Sequence, residues 1–121
     1  MPNVTIVYST AFYGCTALQS ITLPNCSLIY GPSTSTYNHG AFQNCTNLTT
    51  ISLPNLQKFS GYKIFYGTNL QSVYLMGSSV CTLSTSTIFQ NSTKIYVPSS
   101  LLTAYQSAVQ WRTISSRIVG I

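Results

Sequence analysis

Apolar and polar positions along most of the chain alternate in short bursts that return at a fixed spacing. Ile21/Leu23, Ile51/Leu53, Val73/Leu75 and Ile95/Val97 set apolar residues two apart with polar or aromatic neighbours between them. That is the period-two pattern of a half-buried strand. Each pair closes a longer unit, Ala11-Phe12-Tyr13-Gly14-Cys15-Thr16-Ala17-Leu18-Gln19-Ser20-Ile21-Thr22-Leu23-Pro24, which returns at Ala41 to Pro54 and, shortened, at Ile64 to Met76 and Ile88 to Pro98. The slot held by Pro2, Pro24, Pro54, Met76 and Pro98 recurs at intervals of 22, 30, 22 and 22 residues. The two later copies lose residues after the phenylalanine and gain the same number before it, so the length of a coil is kept. A solenoid requires this, because each turn must lay its strand roughly 4.7 to 4.9 Å from the previous one.

The pattern predicts that these strands stack in parallel as one sheet. Phe12, Phe42, Phe65 and Phe89 then form a buried aromatic column, and Leu18, Leu48 and Leu70 a second column. Weaker pairs, Val4/Ile6, Cys26/Leu28, Leu56/Phe59 and Val80/Leu83, predict a less regular strand on the opposite wall. After Pro98 the period stops. Ser99 or Ser100 is placed to cap a short helix carrying Leu101, Leu102, Tyr105, Ala108 and Val109, with Trp111 beyond it, and Arg117 to Ile121 reads as a closing strand. The expected fold is mainly β: a parallel β-solenoid of about four coils over residues 1–98, then a cap with a short helix and closing strand over residues 99–121. Pro2 to Ile6 match the middle of a repeat. The first layer is therefore expected to present an uncovered apolar edge, to be met by upstream protein or by another chain, a second copy included.

The motif Ala-Phe-x-x-Cys-Thr-x-Leu-x-x-Ile-x-Leu-Pro-Asn, at Ala11 to Asn25 and again at Ala41 to Asn55, resembles the leucine-rich repeat of the BspA type. Residues 2–98 fall within that resemblance. The segment from Ile95 to Val119 is similar to the C-terminal cap of such arrays in gut bacteria and their phages. The resemblance implies a non-catalytic surface or secreted module, because members with known roles are adhesins that bind host or bacterial surface proteins.

Composition narrows the chemistry. The 121 residues include five Lys or Arg and no Asp or Glu. Carboxylate pairs, Ser-His-Asp triads, glycosidase dyads and carboxylate-bound Ca²⁺ or Mg²⁺ all lack their raw material. A Zn²⁺ site would need His39 and the four cysteines, yet no C-x-x-C pair exists, so no metal and no cofactor is expected. Cys15, Cys26, Cys45 and Cys81 read as small buried hydrophobes rather than disulfide partners. The cations at Lys58, Lys63, Lys94, Arg112 and Arg117 form no basic run, which argues against nucleic acid. No stretch reaches the roughly 20 apolar residues of a membrane span, and no export signal precedes the repeats. Five Asn-x-Ser/Thr sequences, at Asn3, Asn25, Asn44, Asn47 and Asn91, are mostly residues of repeat slots.

What remains is recognition. Between the buried residues of the sheet, Thr22, Ser52, Tyr74 and Tyr96 form one outward row and Ser20, Thr50, Ser72 and Lys94 the next. Tyrosines beside a cation suit a protein-binding surface, and their rings equally stack on sugars. The eight-residue insertion within residues 31–40, which includes Tyr37 and His39, predicts a protruding loop that either adds to recognition or is a tolerated bulge. The expected partner is a protein or glycan on a host or bacterial surface, with an extracellular or cell-surface location. The alternative is a phage virion component that docks through its N-terminal edge.

Overall fold

Isoleucine and valine rows dictate how the coils meet. The computed structural model describes residues 3–34 and 40–121. Its strands are β1 (Ile6–Val7), β2 (Ser20–Thr22), β3 (Leu28–Tyr30), β4 (Thr50–Ser52), β5 (Lys58–Ser60), β6 (Ser72–Tyr74), β7 (Thr82–Leu83), β8 (Lys94–Val97) and β9 (Ile118–Gly120), with one short helix, α1 (Leu102–Ser107). Five strands pair in the order β2-β4-β6-β8-β9 and four in the order β1-β3-β5-β7. Every pairing is parallel, and Ile21, Ile51, Val73, Ile95 and Ile118 lie side by side in one row. The first sheet is thus the one that the sequence predicts, extended by the closing strand.

The opposite wall keeps the predicted pairs Leu56/Phe59 and Val80/Leu83 and differs in its first two strands, where the pairs Val4/Ile6 and Cys26/Leu28 are off by one residue. Its inward row is Val7, Ile29, Phe59 and Leu83, all buried, whereas Ile6 is exposed and Leu28 half-buried. The apolar residues that begin each segment, Val4, Cys26, Leu56 and Val80, all lie three positions before this row, where the sequence pattern pairs the first two at a spacing of two. One extra residue is taken up by the bend between the corner and a strand of only two or three residues, so strict alternation fails there.

Between the sheets, the phenylalanines stack as a column. Ring centroids are 4.9 Å apart for Phe12 and Phe42, 5.5 Å for Phe42 and Phe65, and 5.8 Å for Phe65 and Phe89. Phe59 meets the column edge-on, 5.9 Å from Phe65 and 5.5 Å from Phe89, and so ties the two walls together. These separations fall within the range in which aromatic pairs add to simple burial. Asn47 and Asn55 cross between coils as well, their amides donating to Thr16 O at 2.7 Å and Pro24 O at 2.6 Å. Every buried side-chain nitrogen and oxygen among the described residues has a hydrogen-bond partner.

The cap covers the last layer, though not as the serines suggest. Neither Ser99 nor Ser100 caps α1 with its side chain; a 3-10 turn over Ser99–Leu101 leads into the helix instead. The helix ends at Ser107, which leaves Val109 70% exposed. Trp111 takes over, fully buried and stacked 5.7 Å from Phe89, with Tyr105 edge-on to it at 5.3 Å. Both rings fasten the cap to the second wall. The Trp111 indole donates to Cys81 O at 2.6 Å, and Tyr105 Oη accepts from Cys81 N–H at 2.9 Å.

Among the described residues, none covers the first layer in this way. Phe42, Cys45, Leu48 and Ile51 are wholly buried, while their counterparts Phe12, Leu18 and Ile21 are half-buried and Cys15 is exposed. Cys15 is therefore not the buried hydrophobe expected, because no described coil lies over it. All four cysteines are free. Burial raises the thiol pKa values of Cys26 and Cys45, and pushes Cys81 from 9.0 up to about 12 and Tyr105 from 10.0 to about 12.

Two outcomes follow for stability. Phe42→Ala should cost roughly 3 to 5 kcal/mol, since rings above and below it hold the cavity open, and Phe12→Ala at the half-buried end should cost clearly less; urea unfolding of both variants checks the order. The pH profile should be one-sided. Acid denaturation mostly reflects native carboxylates taking protons, and this chain has none on side chains. The urea midpoint at pH 3 should therefore match that at pH 7. Groups whose folded pKa is raised contribute stability that is complete below their unfolded values of 9.0 and 10.0 and disappears as pH climbs toward about 12. The midpoint should fall over that alkaline window, and less steeply in Cys81→Ala.

Candidate functional site

The outer face of the five-stranded sheet gathers most of the residues singled out from the sequence. Strand register sets Thr22, Ser52, Tyr74 and Tyr96 in a single row, with Val119 of β9 as its fifth member. Ser20, Thr50, Ser72 and Lys94 form the row two residues earlier. Side chains two apart on a strand share a face, so Lys94 stands beside Tyr96. The rings of Tyr74 and Tyr96 stack at 4.8 Å with 15° between their planes. Each ring is half-buried rather than fully outside, because the stack covers one side of it, while Thr22 and Lys94 are exposed and Ser52 half-buried. The result is a flat surface with two phenols and an ammonium at its capped end and hydroxyls toward the first coil.

Of the loop predicted as a second recognition element, only residues 31–34 and 40 are among the described residues. Tyr37 and His39 fall outside the described residues. On either side of them, Ser33 and Thr34 are exposed and Gly40 is buried against the next coil, its N–H bound to Gln43 Oε1 at 3.0 Å. Lys58 and Lys94 lie on opposite sheets, β5 and β8, which separates the cations instead of lining them up. Among the described residues no three cysteine, histidine or carboxylate groups converge on a metal-sized site. No helix there is long and apolar enough to cross a membrane.

Two features escaped the sequence reading. On the outer face of the four-stranded sheet, Tyr8 and Tyr30 stack at 5.7 Å and 8°. Both follow an inward residue, Val7 or Ile29, by one position and lie 22 residues apart, a full coil; that spacing was the available signal. The other is a cavity of about 330 Å³ at the corner shared by the third and fourth coils, beside Tyr66 and Asn91. No sequence motif marks it, since it is a gap between two turns of unequal length.

The repeat geometry agrees with the comparison of the chain with known families. No characterised protein and no solved structure matches it. Residues 5–118 match the BspA type leucine rich repeat region, in six copies where the phenylalanine-led pattern gives four. Parallel coils, a leucine and isoleucine core, and a match over nearly the whole length lead to one conclusion: the chain belongs to the BspA-type leucine-rich repeat family.

Proposed function

We propose that the chain is a non-catalytic recognition module of the adhesive kind, which binds a protein or glycan on a host or bacterial surface through the outer face of the five-stranded sheet. Membership of the family supports a protein-binding repeat module, and the stacked Tyr74 and Tyr96 beside Lys94 are the observation that carries the choice of face. Large amphipathic rings held rigidly lose little conformational freedom on binding, and tyrosine is enriched where interfaces concentrate their energy. Ser52 and Thr22 extend the surface with hydroxyls, and the 31–40 loop with Tyr37 and His39 is assigned a supporting part. With no carboxylate side chain, the face favours neutral or acidic partners. An extracellular or cell-surface location accords with this role.

A second reading, docking through the N-terminal edge as in a multi-subunit assembly such as a virion, is favoured by the half-buried Phe12, Leu18 and Ile21 and the exposed Cys15 of the first layer.

Binding of the fluorescently labelled chain to intact bacterial and epithelial cells tests the first reading. Tyr74→Ser/Tyr96→Ser should lower the cell-bound signal by about tenfold or more, with Thr22→Ala and Ser52→Ala less affected. Stripping the cells with protease or with glycosidase tells the two partner classes apart. Binding that survives the double substitution would reject the sheet face. For the second reading, light scattering should show a mass above the 13.2 kDa monomer that Phe12→Ser reduces; a monomer at every concentration speaks against self-docking.

A further inference from the structure

The corner after each phenylalanine is built alike in three coils and differently in the fourth. Gly14, Asn44 and Gly67 adopt the left-handed conformation there, at φ of 70°, 63° and 76°. Direct backbone bonds join these corners: Phe12 N–H to Ala41 O and Gly14 N–H to Gln43 O, each 2.8 Å, then Phe42 N–H to Ile64 O at 2.9 Å and Asn44 N–H to Tyr66 O at 2.8 Å. Asn91, in the matching slot of the fourth copy, is not left-handed. That copy has ten residues from Phe89 to Pro98, against thirteen from Phe42 to Pro54, and enters its corner through a 3-10 turn at Ser86–Ile88. It reaches the third coil through a side chain, the Gln90 amide donating to Thr68 O. Unequal turns leave the cavity of about 330 Å³ between them.

The chemistry of its walls is specific. Tyr66 presents a ring that is 55% exposed, and Thr87 and Asn91 add an exposed hydroxyl and amide. Lys63 Nζ stands 5.0 Å from the centre of the Tyr66 ring. The Arg117 guanidinium donates to the backbone O of Gln90, a residue of the cavity wall. We propose that this cavity binds a pyranose carrying a carboxylate, a sugar of the uronic-acid type. An aromatic surface takes the C–H face of a sugar ring, and an amide with a hydroxyl serves neighbouring sugar hydroxyls as donor and acceptor. Two nearby cations, in a chain with no Asp or Glu to offset them, select the acidic sugar over the neutral one. The volume lies near the lower end of the roughly 300 to 1,000 Å³ typical of small-molecule sites, which suits one or two rings. This site lies at a coil corner and is separate from the tyrosine row of the sheet.

Titrating the ¹⁵N-labelled chain with glucuronate, and separately with glucose, tests it by NMR. Saturable shifts should concentrate at Tyr66, Thr87 and Asn91, and glucuronate should bind at least about fivefold more tightly at about 0.15 M salt, where screening extends over about 8 Å. Tyr66→Ala should weaken both sugars by about tenfold. Lys63→Gln should lower the preference for the acid at least about twofold and leave glucose binding in place. Tyr74→Ser/Tyr96→Ser should change neither titration, which separates this site from the sheet face. Should Tyr66→Ala disturb the fold, Asn91→Ala at an exposed position makes the same comparison. Shifts spread evenly over all five cations, or none that saturate at the corner, would overturn the proposal.

Discussion

Stacking of like upon like between successive coils is the constraint on which this molecule depends. Parallel strands pair at a fixed small separation, so any residue type repeated at coil spacing meets its own copy. Isoleucine therefore meets isoleucine or valine, and phenylalanine meets phenylalanine at centroid distances from 4.9 to 5.8 Å. An interior layer is buried by its neighbours, not by itself. The same rule makes the two ends special: Trp111 and Tyr105 substitute for the missing coil at one end, while Phe12 and Cys15 show how much apolar surface a layer exposes without one.

The outer faces inherit this order. A tyrosine placed outward in two adjacent coils becomes a stacked pair without further design, as Tyr74 with Tyr96 and Tyr8 with Tyr30 show. The scaffold therefore turns sequence periodicity into rigid arrays of recognition groups. Variation enters where coils differ in length. The fourth copy is shorter after its phenylalanine, and there the backbone contact gives way to a side-chain bridge and an open corner.

Charge plays an unusual part. Five cations and no acidic side chain leave neither ion pairs between side chains nor carboxylates to titrate in acid. Stability rests on burial and on hydrogen bonds that are almost all neutral. Buried thiols and a phenol are held protonated by desolvation, and their contribution changes only on the alkaline side. The same imbalance leaves a formal net charge of +5, all of it carried by residues from Lys58 onward.

The order of coils, the principal sheet, the phenylalanine column and the outward tyrosine row were all determined by the sequence, since a repeat of constant length with period-two strands admits one way of stacking. The closing strand was legible as well, because Ile118 and Val119 continue the rows of Ile95 and Tyr96. Tertiary structure alone decided the rest. It shifted the first two strands of the second wall by one residue, turning Val7 and Ile29 inward in place of Ile6 and Leu28, because strands of two or three residues are too short for alternation to fix their register. It replaced a serine cap by a 3-10 turn and chose Trp111 over Val109 as the lid, because the ring fits over Phe89 and its N–H reaches the Cys81 carbonyl. It also made the corner cavity, which belongs to no single segment, since a gap exists only once two turns of different length are laid side by side.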